Sequence, residues 1–223
     1  MNRFMIVVNP DKDTDSTVTN RIQSYLEAHG AACMVRDVFQ LESSDWEALK
    51  KEQFDCVLVL GGDGTLLRMA GETEDIDIPL FGINLGTVGF LTEGEVANIE
   101  EILGRLLTDD FTIEERMMVT GTVTKADGTT YHKSALNDIV ISRAGFSRLI
   151  GLNVSVDGQV LDTYEADGVV ISTPTGSTGY NLSAGGPIVS PDAELLVITP
   201  VSPHSLTAKS IVLSGKERIT IEI

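Results

Sequence analysis

Asp63 stands among glycines in the stretch Leu60-Gly61-Gly62-Asp63-Gly64-Thr65, directly after the apolar run Cys56 to Leu60. Glycines at 61, 62 and 64 admit backbone conformations closed to other residues and leave N–H groups free to face an anion. A helix opening over Thr65 to Met69 adds an N-terminus that favours phosphate. A carboxylate in such a cradle repels a phosphate unless it accepts a proton or holds a metal. The chemistry suggested is therefore at a hydroxyl close to a phosphate. The plainer reading is a strand-to-helix turn with Asp63 as N-cap, and a glycine-rich turn alone does not choose between the two.

Three further segments offer polar groups at strand ends. Gly82-Ile83-Asn84-Leu85-Gly86-Thr87-Val88-Gly89-Phe90-Leu91 is a second glycine-rich strand exit. Asn137-Asp138 places two short polar side chains at the mouth of the apolar run Ile139 to Ile141, where they suit sugar hydroxyls or an amide, or else a simple turn. The densest segment runs from Asp167-Gly168 through Thr175-Gly176-Ser177-Thr178-Gly179-Tyr180-Asn181-Leu182-Ser183 to Pro187. An apolar strand there feeds a block of small and hydroxylic residues holding one aromatic. The block offers hydroxyls and free backbone groups, and Tyr180 offers a face for a planar ring. The three histidines, His29, His132 and His204, share no spacing that suggests catalysis.

The elements that must position these groups follow from periodicity. Phe4 to Val8 reads as a strand; Val18, Ile22, Tyr25 and Leu26 share a helical face that ends at Gly30, a C′ glycine. Ala32 to Val35 is a second strand. Ser44 to Glu47 has capping-box spacing and starts a helix to Lys51, before the strands Cys56 to Leu60 and Pro79 to Ile83. Such alternation predicts a parallel sheet covered on both faces, with ligands at the carboxyl ends of its strands, where the turns after Leu60 and Ile83 share one edge. A helix over Glu95 to Leu107 closes this region.

Beyond it the pattern changes to period two. Hairpin signals centre on Asp127-Gly128 and Asp157-Gly158, and strands are expected at Val169 to Ser172, Leu195 to Thr199, Ile211 to Leu213 and Ile219 to Ile223. The expected organisation is a Rossmann-like α/β domain over residues 1–108 and an all-β domain over 109–223.

The 223 residues suffice for a sizeable core. A net charge of −17 argues against nucleic acid and anionic membrane as partners. Cys33 and Cys56 are isolated, without metal-ligand spacing. The apolar run near the N-terminus is too short for a signal peptide, and no run approaches the ~18 residues of a membrane span. The expectation is a cytoplasmic protein.

Taken in order, Gly61-Gly62-Asp63-Gly64, Gly82 to Gly86 with Gly89-Phe90-Leu91, Asn137-Asp138, Asp167 to Pro187 and Pro200 to Leu206 resemble the NAD kinase family over nearly the whole chain. The first motif is shared with phosphofructokinases and with diacylglycerol and sphingosine kinases; the Thr175 to Tyr180 block is far more specific. The resemblance implies phosphoryl transfer from ATP, with Mg²⁺, to the 2′-hydroxyl of the adenosine ribose of NAD. It also implies an α/β domain followed by a β-sandwich-like domain, and a homodimer or homotetramer. By the same resemblance Asp63 is the proton acceptor, with Gly61, Gly62 and Gly64 on the phosphate loop. Phe90, Asn137, Asp138, Asp167, Thr178, Gly179, Tyr180 and Ser183 are nucleoside contacts, and Arg68 and Arg148 lie near phosphates.

This chain departs from the family pattern with Asp138 in place of a usual Glu and Gly179 in place of a frequent Ala. It also stops at Ile223, where the family typically continues for several strands, so the resemblance implies a shortened member or a trimmed chain. That bears on full activity more than on fold. Apolar strand candidates near that end add to the expectation of an oligomer. Two alternatives stay open at this point: a lipid kinase of the diacylglycerol or sphingosine type, and a dinucleotide-binding protein without turnover.

Overall fold

Unbroken apolar runs make strands that bury both faces, and three such runs form the middle of a parallel sheet in the first half of the chain. The computed structural model describes residues 1–86, 89–145 and 148–223. Thr87 and Val88 of the second glycine segment lie outside the described residues. The chain divides into two units, Met1–Glu114 and Glu115–Ile223.

In the first unit β1 (Arg3–Val8), α1 (Thr17–Ala28), β2 (Ala32–Asp37), α2 (Ser43–Lys51), β3 (Cys56–Gly61), α3 (Asp63–Glu72), β4 (Leu80–Asn84), the two-residue β5 (Gly94–Glu95), a 3₁₀ turn (Val96–Asn98) and α4 (Ile99–Leu107) follow one another. The sheet order is β2-β1-β3-β4-β5, parallel throughout. Strand alternation divides the core. Phe4 and Ile6 of β1 and Leu58 and Leu60 of β3 pack with Ile22 and Leu26 of α1 and Ile99 and Leu103 of α4. Met5, Val7, Val57 and Val59 face the other way, onto Leu49 of α2 and Leu66 and Met69 of α3. Each of these strand residues is fully buried, worth about 1.5–3 kcal/mol apiece against exposure. The sheet is therefore a rigid base for the loops at its edge. The chain leaves β1 toward β2 on one side and has β3 on the other, so a crevice for ligands opens at their carboxyl ends.

Two local expectations are corrected by tertiary partners. Helix α2 is capped by Glu42 with Asp45, not by Ser44 with Glu47: Asp45 Oδ2 accepts the Glu42 N–H at 3.0 Å. Asp45 is also paired with Arg36 on β2, which no local pattern reveals. The helix expected from Glu95 begins at Ile99, because Glu95 is held extended beside Asn84 of β4. Gly30, at φ 80°, does end α1.

The second unit contains β6 (Val119–Thr124), β7 (Thr130–Ala135), β8 (Asp138–Ser142), β9 (Ile150–Val156), β10 (Gln159–Ala166), β11 (Gly168–Ser172), a 3₁₀ turn (Thr175–Thr178), the one-turn α5 (Tyr180–Ser183), β12 (Leu195–Val201), β13 (Ile211–Ser214) and β14 (Ile219–Glu222). Asp157 and Gly158 both have positive φ, 47° and 81°, as a two-residue hairpin turn requires. The antiparallel sheet β13-β12-β11-β8 and the sheet β10-β9-β14 enclose one core, with Val169, Ile171, Leu196 and Ile198 from the first and Leu152, Val154, Tyr164 and Ala166 from the second. β6 and β7 pair as a separate two-stranded sheet, and an α/β unit followed by a β unit is the architecture expected. The short helical turns at 175–183 are an addition to the all-β reading of the second half. They form where Pro174 and the glycines interrupt the strand pattern.

Candidate active site

Asp63 is not the N-cap of α3. Gly62 takes that place and Asp63 is the first helical residue. Its carboxylate reaches across to the chain 27 residues on, where Oδ2 accepts the Phe90 N–H at 2.8 Å. Oδ1 accepts the Leu91 and Thr92 N–H groups, each at 3.2 Å, and the Thr92 hydroxyl at 3.2 Å. The two glycine-rich strand exits are thus tied together through one side chain. A Cβ on Gly89 would lie 2.1 Å from Asp63 Oδ1, and one on Gly61 2.3 Å from Thr65 Oγ1, so both positions exclude a side chain by contact. Cβ atoms on Gly62 and Gly64 would meet nothing within 4 Å. Phe90 is 83% exposed.

The neighbouring loop after β1 sharpens the picture. Asp13 Oδ1 accepts the Val18 N–H at 3.1 Å and Oδ2 the Thr19 N–H at 2.8 Å. The N-terminus of α1 is therefore already neutralised by its own carboxylate, which leaves that of α3 to favour an anion at the crevice. Lys12, which the sequence analysis passed over, reaches across to the β4 exit: its Nζ is 3.6 Å from where a Cβ of Gly86 would stand. A lysine just past the first strand was the available signal. Arg68 is exposed and lies over the Phe39 ring, 5.9 Å from its centroid.

In the second unit the loop over residues 173–190 covers the face of β11 and β12 turned away from the core. Asn181 anchors it: fully buried, its Nδ2 donates to Ser177 O at 3.1 Å and Pro187 O at 2.9 Å, and its Oδ1 accepts from Thr199 Oγ1 at 2.7 Å. Asn137 and Asp138 border this loop. Gly179 is close enough that its Cβ would stand 3.4 Å from Asn137 Nδ2 and 3.7 Å from Asp138 Oδ2. Asn137 Oδ1 is buried with no hydrogen-bond partner among the described residues. A buried acceptor so placed calls for a donor from a ligand. Burial holds the Asp138 carboxyl above its ordinary range.

Tyr180, half exposed, lines a cleft of about 540 Å³ with Ser142, Arg143, Asp167, Val201 and Ser202. Asp167 Oδ1 accepts from Arg143 Nε at 2.6 Å. Arg143 is a second residue the sequence analysis missed; only the antiparallel pairing of β8 with β11 brings it to Asp167. Thr178 makes one long contact, Oγ1 to Thr175 O at 3.5 Å. Ser183 and Arg148 are exposed.

Two family models match most of the chain. The ATP-NAD kinase N-terminal domain matches residues 4–111 and the ATP-NAD kinase C-terminal domain residues 136–223. The chain belongs to the NAD kinase family. The NAD kinase of Lachnoclostridium phytofermentans is 47% identical, with 100% of this chain and 79% of that protein covered. That of Agathobacter rectalis is 44% identical at the same coverage. Among solved structures, a yeast NADH kinase complexed with NADH gives a TM-score of 0.84 at 25% identity, over 100% of this chain and 72% of that one. An NAD kinase from Archaeoglobus fulgidus in complex with ATP gives 0.80 at 30% identity, over 98% and 80%. Membership of the NAD kinase family sets the lipid-kinase alternative aside. No helix among the described residues is long and apolar enough to cross a membrane.

Proposed function

We infer that this enzyme phosphorylates NAD to NADP with ATP as phosphoryl donor. The site of attack is the 2′-hydroxyl of the adenosine ribose. The observation that carries the residue assignments is the Asp63 carboxylate, held at the edge of a parallel sheet beside a helix N-terminus that favours phosphate. A ribose hydroxyl is a weak nucleophile, so a carboxylate within hydrogen-bond reach accepts its proton as the bond from oxygen to the γ-phosphorus forms. The bond from that phosphorus to the β,γ-bridging oxygen breaks, and ADP leaves with the electron pair. Asp63 is the proton acceptor in this reading, and Gly61, Gly62 and Gly64 leave the backbone open to the transferred phosphate. Arg68 and Arg148 serve phosphate groups from the surface.

In this reading Phe90, Asn137, Asp138, Asp167, Thr178, Gly179, Tyr180 and Ser183 are the nucleoside contacts. What supports them is the buried, unpartnered Asn137 Oδ1, which suits an amino group of a base, and the Tyr180 ring lining a cleft. A bound Mg²⁺ would rest chiefly on substrate phosphates, since this ion keeps several waters and needs only one or two carboxylates beside them, and it would offset charge on the transferring group. Among the described residues no cluster of three acidic, histidine or cysteine side chains is present, and that coordination mode asks for none.

The enzyme works in the cytoplasm as a homodimer or homotetramer in this reading. The exposed apolar side chains of Val212 on the edge strand β13 and of Leu206 before it support association. The decisive experiment incubates the full chain with NAD, ATP and Mg²⁺ and scans for NADP by chromatography. ADP release without NADP overturns the reading. Light scattering that returns a 24.0 kDa particle would overturn the oligomer.

A further inference from the structure

We propose that Thr92 is a positioning residue for the reacting carboxylate: its hydroxyl pins Asp63 Oδ1 so that Oδ2 is the oxygen left to take the ribose proton. The proposal rests on the reading of Asp63 as proton acceptor. Thr92 is buried and lies between the second glycine segment and β5. Oδ1 receives three donors, the N–H groups of Leu91 and Thr92 and the Thr92 hydroxyl, while among the described residues Oδ2 receives only the Phe90 N–H. A carboxylate oxygen carries two lone pairs. Oδ1 is therefore fully engaged, and Oδ2 keeps one pair free.

The two branches of Thr92 have separate tasks. Its methyl packs on β4, with Cγ2 only 2.9 Å from where a Cβ of Gly82 would stand, and its hydroxyl turns to Asp63. The backbone N–H groups grip Asp63 whatever residue occupies position 92. The hydroxyl is the part of the clamp that depends on the side chain. Valine keeps the shape and the methyl but loses the donor; serine keeps the donor but loses the methyl.

The test is steady-state kinetics of the full chain with NAD, ATP and Mg²⁺. Thr92→Val is expected to lower kcat about tenfold, equivalent to ~1.4 kcal/mol. KM for both substrates should stay within about twofold, as for an interaction felt in the transition state. Thr92→Ser is expected to restore kcat to within about twofold of the parent. In an Asp63→Asn background Thr92→Val should cost nothing further, because the two residues act as a unit. A parental kcat for Thr92→Val overturns the proposal, as does a Thr92→Ser enzyme as slow as Thr92→Val, which would assign the effect to packing. If Thr92→Val does not fold, Thr92→Ala is compared with Thr92→Ser, and equal kcat values overturn the clamp. Asp63→Asn with undiminished turnover would instead remove the underlying reading of Asp63, a result distinct from failure of the Thr92 clamp alone.

Discussion

The carboxylate of Asp63 lies flat against the bare Cα of Gly89, so close that any Cβ there would overlap both of its oxygens, at 2.1 Å from Oδ1 and 2.4 Å from Oδ2. Position 89 is thus a glycine because of a side chain 26 residues earlier in the chain. A Gly89→Ala enzyme is expected to keep its fold, since the clash is relieved by turning one carboxylate. That turn breaks the bonds from Phe90, Leu91 and Thr92, and misplacing a reacting group by about 1 Å can cost roughly 10²-fold in rate. Turnover measured beside thermal unfolding separates the two effects. An alanine variant with parental kcat would show that the carboxylate geometry does not matter to the reaction.

Asp63→Asn retains the size of the side chain but keeps one acceptor oxygen, for either the Phe90 bond or the Leu91 and Thr92 bonds, and it cannot take a proton. Turnover should fall by roughly 10²–10⁴-fold, the usual contribution of a positioned base. NAD affinity measured by calorimetry should change little. A folded variant that no longer binds nucleotide would reassign Asp63 from catalysis to binding.

Removal of the Asn181 side chain strips partners from the buried Ser177 carbonyl, from the part-buried Pro187 carbonyl and from the Thr199 hydroxyl, which among the described residues then keeps Ser210 at 2.9 Å. Asn181→Ala is expected to lower unfolding free energy by about 1–3 kcal/mol, the range for orphaning a buried polar group. Urea unfolding reads this directly. A loss under about 0.5 kcal/mol, the level of ordinary surface changes, would mean that the loop over residues 173–190 is held by other contacts.

Burial raises the Asp138 carboxyl above its ordinary range in the folded chain. The folded state therefore binds this proton more tightly than the unfolded one. Its contribution to stability is fully present below the unfolded value and is lost as pH rises through the raised folded value. Asp138→Asn removes the titration, so the variant should gain stability relative to the parent across that window. Urea unfolding of both proteins from pH 3 to 7 checks the sign. A difference that does not change with pH would show that Asp138 is as well solvated folded as unfolded.

Much of the architecture was legible in the chain itself, because the deciding forces act locally. The buried run Cys56 to Leu60 could only be a strand covered on both faces, Gly62 parts it from α3, and Asp157-Gly158 carried its hairpin in two residues. Family membership was equally legible, since the Thr175 to Tyr180 block is a contiguous string. Tertiary structure decided what each polar side chain meets. Its neighbours left Asp63 open between helix cap and reacting carboxylate, and sheet order puts β4 beside β3 and so brings Phe90 and Thr92 to its carboxylate. Arg143 gained a neighbour in Asp167 by the same kind of lateral pairing, and Lys12 one in Gly86 across the intervening β3. The physical reason is range. Strand and turn propensities are set within a few residues, whereas a hydrogen bond to a carboxylate needs donors that only the register of adjacent strands delivers within about 3 Å.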